Sequence, residues 1–378
     1  MSNKDNILLV ANYDSDVGYA WWLMENFWAH IAKHFSGTDR KCYLVYPKIN
    51  KVPDIIKDAS ITLIEYDFSD RSLRSFGKLL KLLLECNIGY VYLTDRPYYD
   101  WRYLAMRVSG IRRIINHDHM PGERPEVPLV KKILKQLLHR CSVFSCDLYI
   151  AVSEFVKERA IDIACVAPEK CIVVHNGIRI FDNSNTSYVH DVFGLPKDAF
   201  IVVSTGRATL YKGIQFLIEA AEVVTKRIEK IIFLHIGDGP DLPSFEMMVN
   251  ERGLASNFKF AGFRTDIVKI LPSCNVGIQT SLGEAFSLSV LEYMCAGLVT
   301  LAPNNCGNGE AISDGVNGFL FRPENVDDIV QKIVYVYEHR FEMNRVRQHA
   351  RCHVLDNFSI TSCNQKLISA LSPYLNEN

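Results

Sequence analysis

Short apolar runs alternate with longer amphipathic segments along most of the chain, and this alternation constrains the fold more than any other feature. Runs such as Ile7–Ala11 and Cys42–Tyr46 contain β-branched or aromatic residues and are too short to be typical helices. Between most of these runs, apolar residues recur at helical spacing. Because a repeated β-α order is typical of a parallel sheet covered by helices on both faces, the sequence predicts an α/β fold.

The alternation occurs twice, on either side of a polar segment at Phe181–Ser187 that has no periodicity. We interpret this segment as a linker between an N-terminal domain, residues 1–180, and a C-terminal domain, residues 181–357. The last helical pattern, at about 358–378, is a candidate to pack back on the N-terminal domain. The sequence thus predicts two doubly wound, Rossmann-like domains that face each other across a cleft, with ligands beyond the carboxyl ends of the strands.

Composition and charge exclude several classes of protein. The net charge is −1, so nothing in the overall charge suggests nucleic acid as a partner, although residues 1–180 carry +4 and the remainder −5. The 11 cysteines form no C-x-x-C pair and have no zinc-site spacing, which favours reduced thiols in a cytosolic protein. We find no signal-peptide pattern and no apolar run of about 18 residues. A cytoplasmic chain without a membrane span is therefore expected.

The first strand of the C-terminal half is followed by two cations. The stretch Ile201–Gly213 reads I-V-V-S-T-G-R-A-T-L-Y-K-G, so Arg207 and Lys212 lie in a loop that runs from Gly206 to the start of a helix at Gly213. A guanidinium, an ammonium and a helix N-terminus together can bind phosphate. Two solvated surface charges are the alternative interpretation.

The next strand of that half ends in H-I-G-D-G-P, with glycines at Gly237 and Gly239. These glycines let the backbone approach a flat ligand closely. Pro240 follows where a dinucleotide-binding fingerprint would have more glycine, and the loop after the first strand of the chain has only Gly18. An NAD-dependent dehydrogenase is therefore not expected.

Two glutamates flank the start of a predicted helix further along the chain. The stretch from Gln279 reads Q-T-S-L-G-E-A-F-S-L-S-V-L-E, with Glu284 in the loop and Glu292 among apolar helical residues. The N–H groups near Phe286–Leu288 can hold a phosphate. A carboxylate in an apolar setting needs partners such as sugar hydroxyls or a cation. The alternatives are a capping acid for Glu284 and a surface glutamate for Glu292.

The N-terminal half offers one candidate constellation, I-N-H-D-H-M-P-G, which follows a predicted strand and is expected to face the cleft. It contains His117, Asp118 and His119, and Asp118 is a candidate to orient either histidine. A metal site from these three residues is the rival interpretation, but adjacent side chains do not converge easily on one ion. No metal site is predicted.

A basic amphipathic helix is predicted near residues 129–143. Lys131, Lys132, Lys135 and Arg140 alternate there with leucines and isoleucine. We favour an ordinary sheet-covering helix with a solvated basic side. The alternative is a peripheral contact with the inner face of a membrane, which would bring a lipid-linked acceptor to the site.

The paired glutamates of G-E-A-F-S-L-S-V-L-E resemble the E-x7-E signature of retaining nucleotide-sugar glycosyltransferases with the GT-B fold, and the chain looks most like glycosyltransferase family 4. Further motifs resemble that family in the same order. They are C-D-L-Y-I-A-V-S from Cys146, V-H-N-G-I from Val174, G-R followed by Y-K-G from Gly206, I-G-D-G-P from Ile236, F-A-G-F from Phe260, and G-N-G-E from Gly307 with D-G-V-N-G-F-L from Asp314. The first 110 residues resemble the family only in alternation.

This resemblance implies a function and a set of site residues. The function is transfer of a hexose-type sugar, without metal or cofactor, from a UDP- or GDP-sugar to a glycan or lipid-linked acceptor. Arg207 and Lys212 would hold the donor diphosphate, and Glu292 the ribose. Glu284 and the backbone of Ala285, Phe286, Ser287 and Leu288 would hold the sugar, and His117 would touch donor or acceptor. Gly18, Gly206, Gly237 and Gly239 would line the donor site.

Two other functions remain compatible with these motifs. A sugar-nucleotide epimerase or a phosphorylase on the same scaffold would use the same phosphate loops. A non-catalytic binding subunit is the other possibility, and the presence of Arg207, Lys212, Glu284 and Glu292 argues against it.

Overall fold

The computed structural model describes residues 5–18, 21–184 and 187–375, except for the side chains of Leu138 and Arg140. It divides the chain into two compact units. Unit 1 comprises the residues up to Asn176 together with those from Cys363 onward, and unit 2 comprises Gly177–Ser362. Residues 185 and 186 of the predicted linker, and residues 376–378 of the predicted last helix, lie outside the described residues.

Unit 1 contains one parallel sheet. Within the described residues its seven strands are β1 (Asn6–Val10), β2 (Cys42–Tyr46), β3 (Ile61–Glu65), β4 (Ile88–Thr94), β5 (Arg113–Asp118), β6 (Leu148–Ala151) and β7 (Cys171–Val173). They are all parallel and lie in the order β3-β2-β1-β4-β5-β6-β7. Every residue of β4 is buried, as is typical of a parallel strand with both faces covered.

The helices of unit 1 lie between these strands in sequence. They are α1 (Trp22–Phe35), α2 (Asp54–Lys57), α3 (Leu73–Glu85), α4 (Trp101–Val108), α5 (Leu129–Arg140) and α6 (Glu154–Asp162). Side-chain caps fix where several of them begin: Ser72, Asp100 and Ser153 each accept a hydrogen bond from a backbone N–H of the first turn. Such caps satisfy donors that have no acceptor inside the helix.

Unit 2 repeats the same architecture with six described strands. The elements are β8 (Phe200–Thr205), β9 (Ile231–Ile236), β10 (Phe258–Phe260), β11 (Val276–Ile278), β12 (Val299–Pro303) and β13 (Phe319–Phe321), with helices α7 (Tyr188–Phe193), α8 (Ile214–Val224), α9 (Leu242–Glu251), α10 (Ile267–Ile270), α11 (Leu288–Ala296), α12 (Val326–Glu338) and α13 (Asn344–Asn357). The strands are parallel and lie in the order β10-β9-β8-β11-β12-β13. The prediction of an α/β fold with two Rossmann-like parallel sheets is confirmed.

The last helix, α14 (Ile360–Leu375), begins in unit 2 and continues into unit 1 from Cys363. Its buried residues include Cys363, Leu367 and Leu371. Within unit 1, the Arg40 guanidinium donates to the backbone carbonyl of Leu375. Among the described residues, no helix combines the length and hydropathy needed to cross a bilayer.

Successive residues of β8 pack into two different apolar layers. Val202 lies in a cluster with residues of α8 and α12, whereas Ile201 and Val203 lie in a second cluster that includes Tyr293 of α11. This follows from the strand period of two, which turns neighbouring side chains to opposite faces. Both faces of the unit 2 sheet are therefore buried under helices.

The strand order reverses between β1 and β4 in unit 1 and between β8 and β11 in unit 2. At such a reversal the connections from the two strand ends run in opposite directions and leave a crevice at the carboxyl edge. In unit 2 the loops at this edge are those that contain Arg207, Lys212 and Glu284.

Candidate functional site

The loops after β8 and β11 are hydrogen-bonded to each other. The Leu282 N–H donates to the Tyr211 carbonyl at 2.9 Å, and the Thr280 hydroxyl donates to the Lys212 carbonyl at 3.0 Å. Gly213 has φ +69°, and a Cβ added there would lie 2.0 Å from the Thr280 carbonyl oxygen. Only glycine allows this close approach. The two loops thus form one fixed edge of the crevice.

This edge brings Lys212 and Glu284 together. The Lys212 Nζ lies 2.5 Å from Glu284 Oε1, and the two side chains are only 27% and 15% exposed. The backbone carbonyl of Glu284 accepts a hydrogen bond from Gly307 N at 2.9 Å, so the loop after β12 holds it in place. Arg207 lies in the same loop as Lys212 and is exposed. The two predicted phosphate-binding cations therefore belong to one loop, and one of them contacts the predicted sugar-binding carboxylate.

The glycine turn after β9 closes the other side of the β8 loop. Gly206 N donates to the Ile236 carbonyl at 3.0 Å, and Gly239 N donates to Asp238 Oδ1 at 2.7 Å. Gly237 has φ +146°, and a Cβ there would lie 1.8 Å from the Gly206 carbonyl oxygen. The structure therefore needs glycine at position 237 for loop-to-loop packing, a reason that the sequence motif did not specify.

Helix α11 begins beside this edge. Ser287 caps it, because its hydroxyl accepts from Val290 N, and the N–H groups of Leu288 and Ser289 precede the first intrahelical hydrogen bond, from Leu291 N to the Ser287 carbonyl. Ala285 and Phe286 are each 5% exposed. The predicted anion-binding backbone thus lies at a helix N-terminus, where N–H groups favour negative charge.

Glu292 lies one helical turn further along α11, and its side chain is half-buried rather than on an exposed polar face. Burial raises the pKa of Glu292 to about 7. No residue in the described part of the chain hydrogen-bonds to its carboxylate or forms an ion pair with it. A carboxylate in this position gains from a ligand that donates hydrogen bonds.

Two polar contacts in unit 2 were not predicted from the sequence. The Tyr293 hydroxyl accepts from Thr205 N at 2.6 Å and fixes the end of β8 to α11. The Asn308 amide donates to the Ser281 carbonyl at 3.2 Å and, at 1% exposed, holds the loops after β11 and β12 together. The resemblance had marked Asn308 only as part of a glycine-rich segment, and Tyr293 carried no signal because its aromatic ring fits an apolar helix face.

In unit 1, His117 lies at the carboxyl end of β5 but is fully buried. Its Nδ1 lies 2.5 Å from the Tyr92 hydroxyl, and its Nε2 has no hydrogen-bond partner among the described residues. Burial, with a smaller effect from His119, holds the pKa of His117 well below its usual value, so the ring is neutral. β5 lies between β4 and β6, and the His117 ring is covered on all sides. The expectation that His117 faces the cleft stays a prediction, and so does its catalytic role.

Asp118 does not orient either histidine, which corrects the expectation from the sequence. Its carboxylate pairs with Arg159 at 3.0 Å and accepts from the Tyr149 hydroxyl. The partner of His119 is Asp95, which accepts from His119 N at 2.6 Å. Alternation along a strand turns neighbouring residues to opposite faces, and this separates Asp118 from the two histidines. Within the described residues, no group of three or more His, Cys, Asp or Glu is arranged to hold a metal ion.

The residues that follow β1 and β4 form a second polar group that sequence reasoning missed. The Asn12 amide donates to Asp95 Oδ2 at 3.2 Å, and Asp95 has φ +52°, which is uncommon for a residue with a side chain. Asp95 follows a buried strand at a reversal of strand order, and that position could have marked it. Gly18, the predicted donor-site glycine of this half, is exposed with φ +71° and would leave room for a Cβ.

Helix α5 differs from the expected sheet-covering helix. Its apolar side chains are exposed, with Leu129 at 73%, Val130 at 81%, Ile133 at 48%, Leu134 at 56% and Leu137 at 58%. Lys135 instead donates to the backbone carbonyl of Ile163 at 3.1 Å. The expected arrangement, with the apolar side packed down and the basic side solvated, is therefore wrong for these residues. Periodicity defines two faces of a helix but does not say which one meets the protein.

Comparison with protein-family models assigns both halves of the chain. Residues 188–353 match the model described as "Glycosyl transferases group 1". Residues 24–180 match the model described as "Glycosyltransferase Family 4". The second match covers the half in which the sequence motifs were sparse.

Two curated relatives match most of the chain. An Escherichia coli enzyme named UDP-Gal:alpha-D-GlcNAc-diphosphoundecaprenol alpha-1,3-galactosyltransferase is 24% identical over 302 residues, which are 77% of this chain and 76% of that protein. A Campylobacter jejuni enzyme named N,N'-diacetylbacillosaminyl-diphospho-undecaprenol alpha-1,3-N-acetylgalactosaminyltransferase is 26% identical over 328 residues, 82% of this chain and 85% of that protein.

Among solved structures, a glycosyltransferase from Rickettsia africae has a TM-score of 0.80 at 19% identity and covers 100% of both chains. At this identity the likeness establishes the fold. The fold, both family models and the two relatives agree with the motifs found in the sequence. The chain is therefore a glycosyltransferase of the GT-B fold and of the family 4 type.

Proposed function

We propose that this glycosyltransferase moves a hexose-type sugar from a nucleoside-diphosphate sugar to a glycan or lipid-linked acceptor, with retention of configuration and without a metal ion. The contact between Lys212 and Glu284 at the strand-order reversal of unit 2 is the main support. It joins an ammonium to a carboxylate, and a nucleotide sugar likewise carries a diphosphate next to a sugar ring with hydroxyl groups.

The leaving group explains the use of the two cations. As the glycosidic bond breaks, the sugar becomes oxocarbenium-like and the diphosphate gains charge. In this proposal Lys212 and Arg207 bind the diphosphate, and the N–H groups at the start of α11 contribute further positive potential. Because the hydrogen bonds between the loops fix these groups in advance, little reorganisation is needed as the charge develops. Two cations in this position can take the part of a divalent metal.

In this proposal the two glutamates bind different parts of the donor. Glu284 already has an ammonium partner, and its remaining lone pairs are to accept from sugar hydroxyls. Glu292 is half-buried without a partner among the described residues, and the hydroxyls of a ribose would supply the missing donors. On this assignment the sugar is held close to the reacting bond, whereas the ribose is held away from it.

Retention of configuration is supported by the names of the relatives. Both names specify an alpha linkage in the product. UDP-hexoses such as UDP-galactose are themselves α-linked, so transfer to an α product keeps the configuration. The same names contain a diphospho-undecaprenol acceptor, and the first names UDP-Gal as donor. We therefore assign a UDP-sugar as the first donor to test.

A lipid-linked acceptor would require contact with a membrane surface, and α5 is the element suited to it. Its exposed residues Leu129, Val130, Ile133, Leu134 and Leu137 are spaced along one side of the helix. An apolar face of this kind, with lysines on the same helix, is typical of helices that lie in the membrane interface. We assign α5 as the peripheral membrane contact.

A donor screen tests the function. UDP-galactose, UDP-glucose, UDP-N-acetylglucosamine, UDP-N-acetylgalactosamine and GDP-mannose would each be incubated with the protein, and release of nucleoside diphosphate would be measured with and without excess chelator. Slow hydrolysis of one donor is expected, unchanged by the chelator. Loss of activity that manganese alone restores would contradict metal independence. No hydrolysis and no thermal stabilisation by UDP or GDP would contradict the donor site itself.

A further inference from the structure

Unit 1 contains a cavity of about 380 Å³ that none of the donor-binding residues lines. The loop after β4, the end of β5, helix α6, helix α5 and the segment between β5 and α5 all contribute to its walls. This volume is at the lower end of the range for small-molecule sites, roughly 300–1,000 Å³. It suits a compact group rather than a whole glycan.

The walls of this cavity are mostly apolar, but basic residues predominate among the charged side chains that line it. Five basic side chains line it against two acidic ones, and they come from four separate elements: Arg96, Arg124, Lys131, Lys135 and Arg159, against Asp118 and Glu126. Asp118 is already paired with Arg159 at 3.0 Å. Within the described part of the chain, the other four cations have no ion-pair partner within 4.0 Å, so one glutamate faces an excess of positive charge. Such a concentration of like charges favours an anionic ligand.

Arg96 is the most specific feature of the cavity. Its Nε and Nη2 atoms are buried, and no described residue accepts a hydrogen bond from them. Its guanidinium lies over the Phe68 ring, 5.4 Å from the centroid, which fixes the plane of the group. Burial, and next the charge of Arg102, lower the pKa of Arg96, and the charges of Asp67 and Asp95 only partly oppose this. Buried donors of an arginine are normally paired, and a planar fork of this kind matches phosphate oxygens.

We propose that this basic cavity binds the phosphate or diphosphate group of the acceptor, with Arg96 as its buried anchor and Lys131 and Lys135 as further contacts. The anion site follows from the cavity alone. Its assignment to an acceptor rests on the proposed function, because an acceptor carried on a diphosphate-linked lipid presents such a group at the membrane surface.

The position of α5 supports this assignment. Lys131 and Lys135 line the cavity, while Leu134 and Leu137 of the same helix are exposed. One helix would thus contact the lipid with its leucines and the lipid-borne phosphate with its lysines. The proposed lipid-contacting surface and the proposed phosphate-contacting surface are thus separated by the width of one helix.

Inorganic pyrophosphate is the first probe. Calorimetric titration would use the full chain with Lys212→Ala, so that the donor loop contributes less to binding. Adding Arg96→Gln is expected to weaken pyrophosphate binding about 10-fold or more, the scale of one lost hydrogen bond between charged groups. Arg96→Lys should recover part of the affinity, because it keeps the charge but loses the fork. Lys131→Gln, on an exposed helix position, is the second variant in case Arg96 variants fold poorly.

The matched control is Lys132→Gln. Lys132 belongs to the same helix and carries the same charge but does not line the cavity. Its substitution should leave pyrophosphate affinity unchanged. Equal affinity of the Arg96→Gln, Lys131→Gln and unsubstituted proteins would overturn the anion site, and so would an equal loss in Lys132→Gln.

A second arm identifies the source of the phosphate. Two kinds of phosphatidylcholine vesicle with equal negative charge would be compared, one containing a polyprenyl diphosphate and the other phosphatidylglycerol. The protein should bind the polyprenyl diphosphate vesicles more tightly, and Arg96→Gln should abolish this difference in affinity. If Arg96 affects only soluble pyrophosphate, the acceptor assignment is overturned. Failure of the donor screen would contradict the proposed function, yet the pyrophosphate titration would still test the cavity.

Discussion

Lys212 and Glu284 are 72 positions apart in the sequence, yet the Lys212 Nζ lies 2.5 Å from Glu284 Oε1. The contact forms because β8 and β11 are neighbours in the unit 2 sheet, so that their loops leave the same edge. A half-buried ion pair of this kind restricts both side chains to one arrangement. If Lys212 binds the donor diphosphate as proposed, this pair holds the ammonium in place before a donor binds.

Removal of either cation should slow the reaction. Lys212→Ala and Arg207→Ala are each expected to lower kcat/KM by roughly 100-fold or more, the scale seen when one preorganised charge stabiliser is lost. Steady-state kinetics with the donor found in the screen would measure this. Lys226→Ala is the control, since Lys226 forms an exposed ion pair with Glu222 in the same unit. Near-normal kcat/KM in both test variants would mean that the donor diphosphate binds elsewhere.

The two glutamates should differ in which kinetic constant they affect. Glu284→Gln is expected to lower kcat more than Glu292→Gln does, because the sugar changes during the reaction whereas the ribose does not. Glu292→Gln should mainly raise KM for the donor. Both variants keep similar volume, and thermal melts would confirm that they fold. Equal effects on kcat would contradict the assignment of Glu284 to the sugar.

Glu292 should also make stability depend on pH. Its pKa is about 7 in the folded protein against 4.5 as the ordinary value. An acid whose pKa is raised binds more protons when folded, so the free energy of unfolding falls as pH rises between these values. Glu292→Gln is therefore expected to be more stable than the unsubstituted protein at pH 8, by roughly 1–3 kcal/mol, and to differ little at pH 4.

Thermal melts at the two pH values would measure this difference. Glu246→Gln is the matched control, because Glu246 is an exposed glutamate in the middle of α9. The stability of the Glu246→Gln protein should change with pH in the same way as that of the unsubstituted protein. A Glu292→Gln protein that is less stable at pH 8 would show that the carboxylate has a stabilising partner.

The apolar side of α5 should contribute to vesicle binding. The double variant Leu134→Gln, Leu137→Gln is expected to weaken binding to vesicles of phosphatidylcholine and phosphatidylglycerol by roughly 10-fold or more, since each leucine loses the gain from burial in the lipid. High salt should weaken vesicle binding by the unsubstituted protein only in part, because salt screens the charge of the lysines but does not affect the apolar contact.

Vesicle co-sedimentation would measure the loss. Val108→Gln is the control, because Val108 is an exposed apolar residue, 81% accessible, on α4. If the double variant binds as well as the control, α5 is not the membrane contact.

The sequence predicted the fold class because the strand and helix periods are local properties. The run at Ile231–Ile236 is apolar except for His235, and the run at Ile201–Thr205 is apolar until its last two residues. All of these residues are buried, as is typical of parallel strands covered on both faces. The sequence also predicted that the loops after β8 and β11, which contain Arg207, Lys212 and Glu284, form the donor site, and this assignment stays a prediction. What it left open was which of those loops meet, because that depends on the order of the strands in the sheet.

Three features of the candidate sites depend on the tertiary structure alone. Whether His117 faces a ligand or the core depends on the layers that cover β5, and the structure buries it. The partner of Asp118 is Arg159, 41 positions away, and local reasoning had considered only its neighbours. Which side of α5 is exposed depends on what packs beneath it. The sequence by itself determined the elements and the chemistry at their ends, because both follow from residue type and spacing. Only the tertiary structure decided burial, pairing and the basic cavity, because each arises from residues that are distant along the chain and adjacent in space.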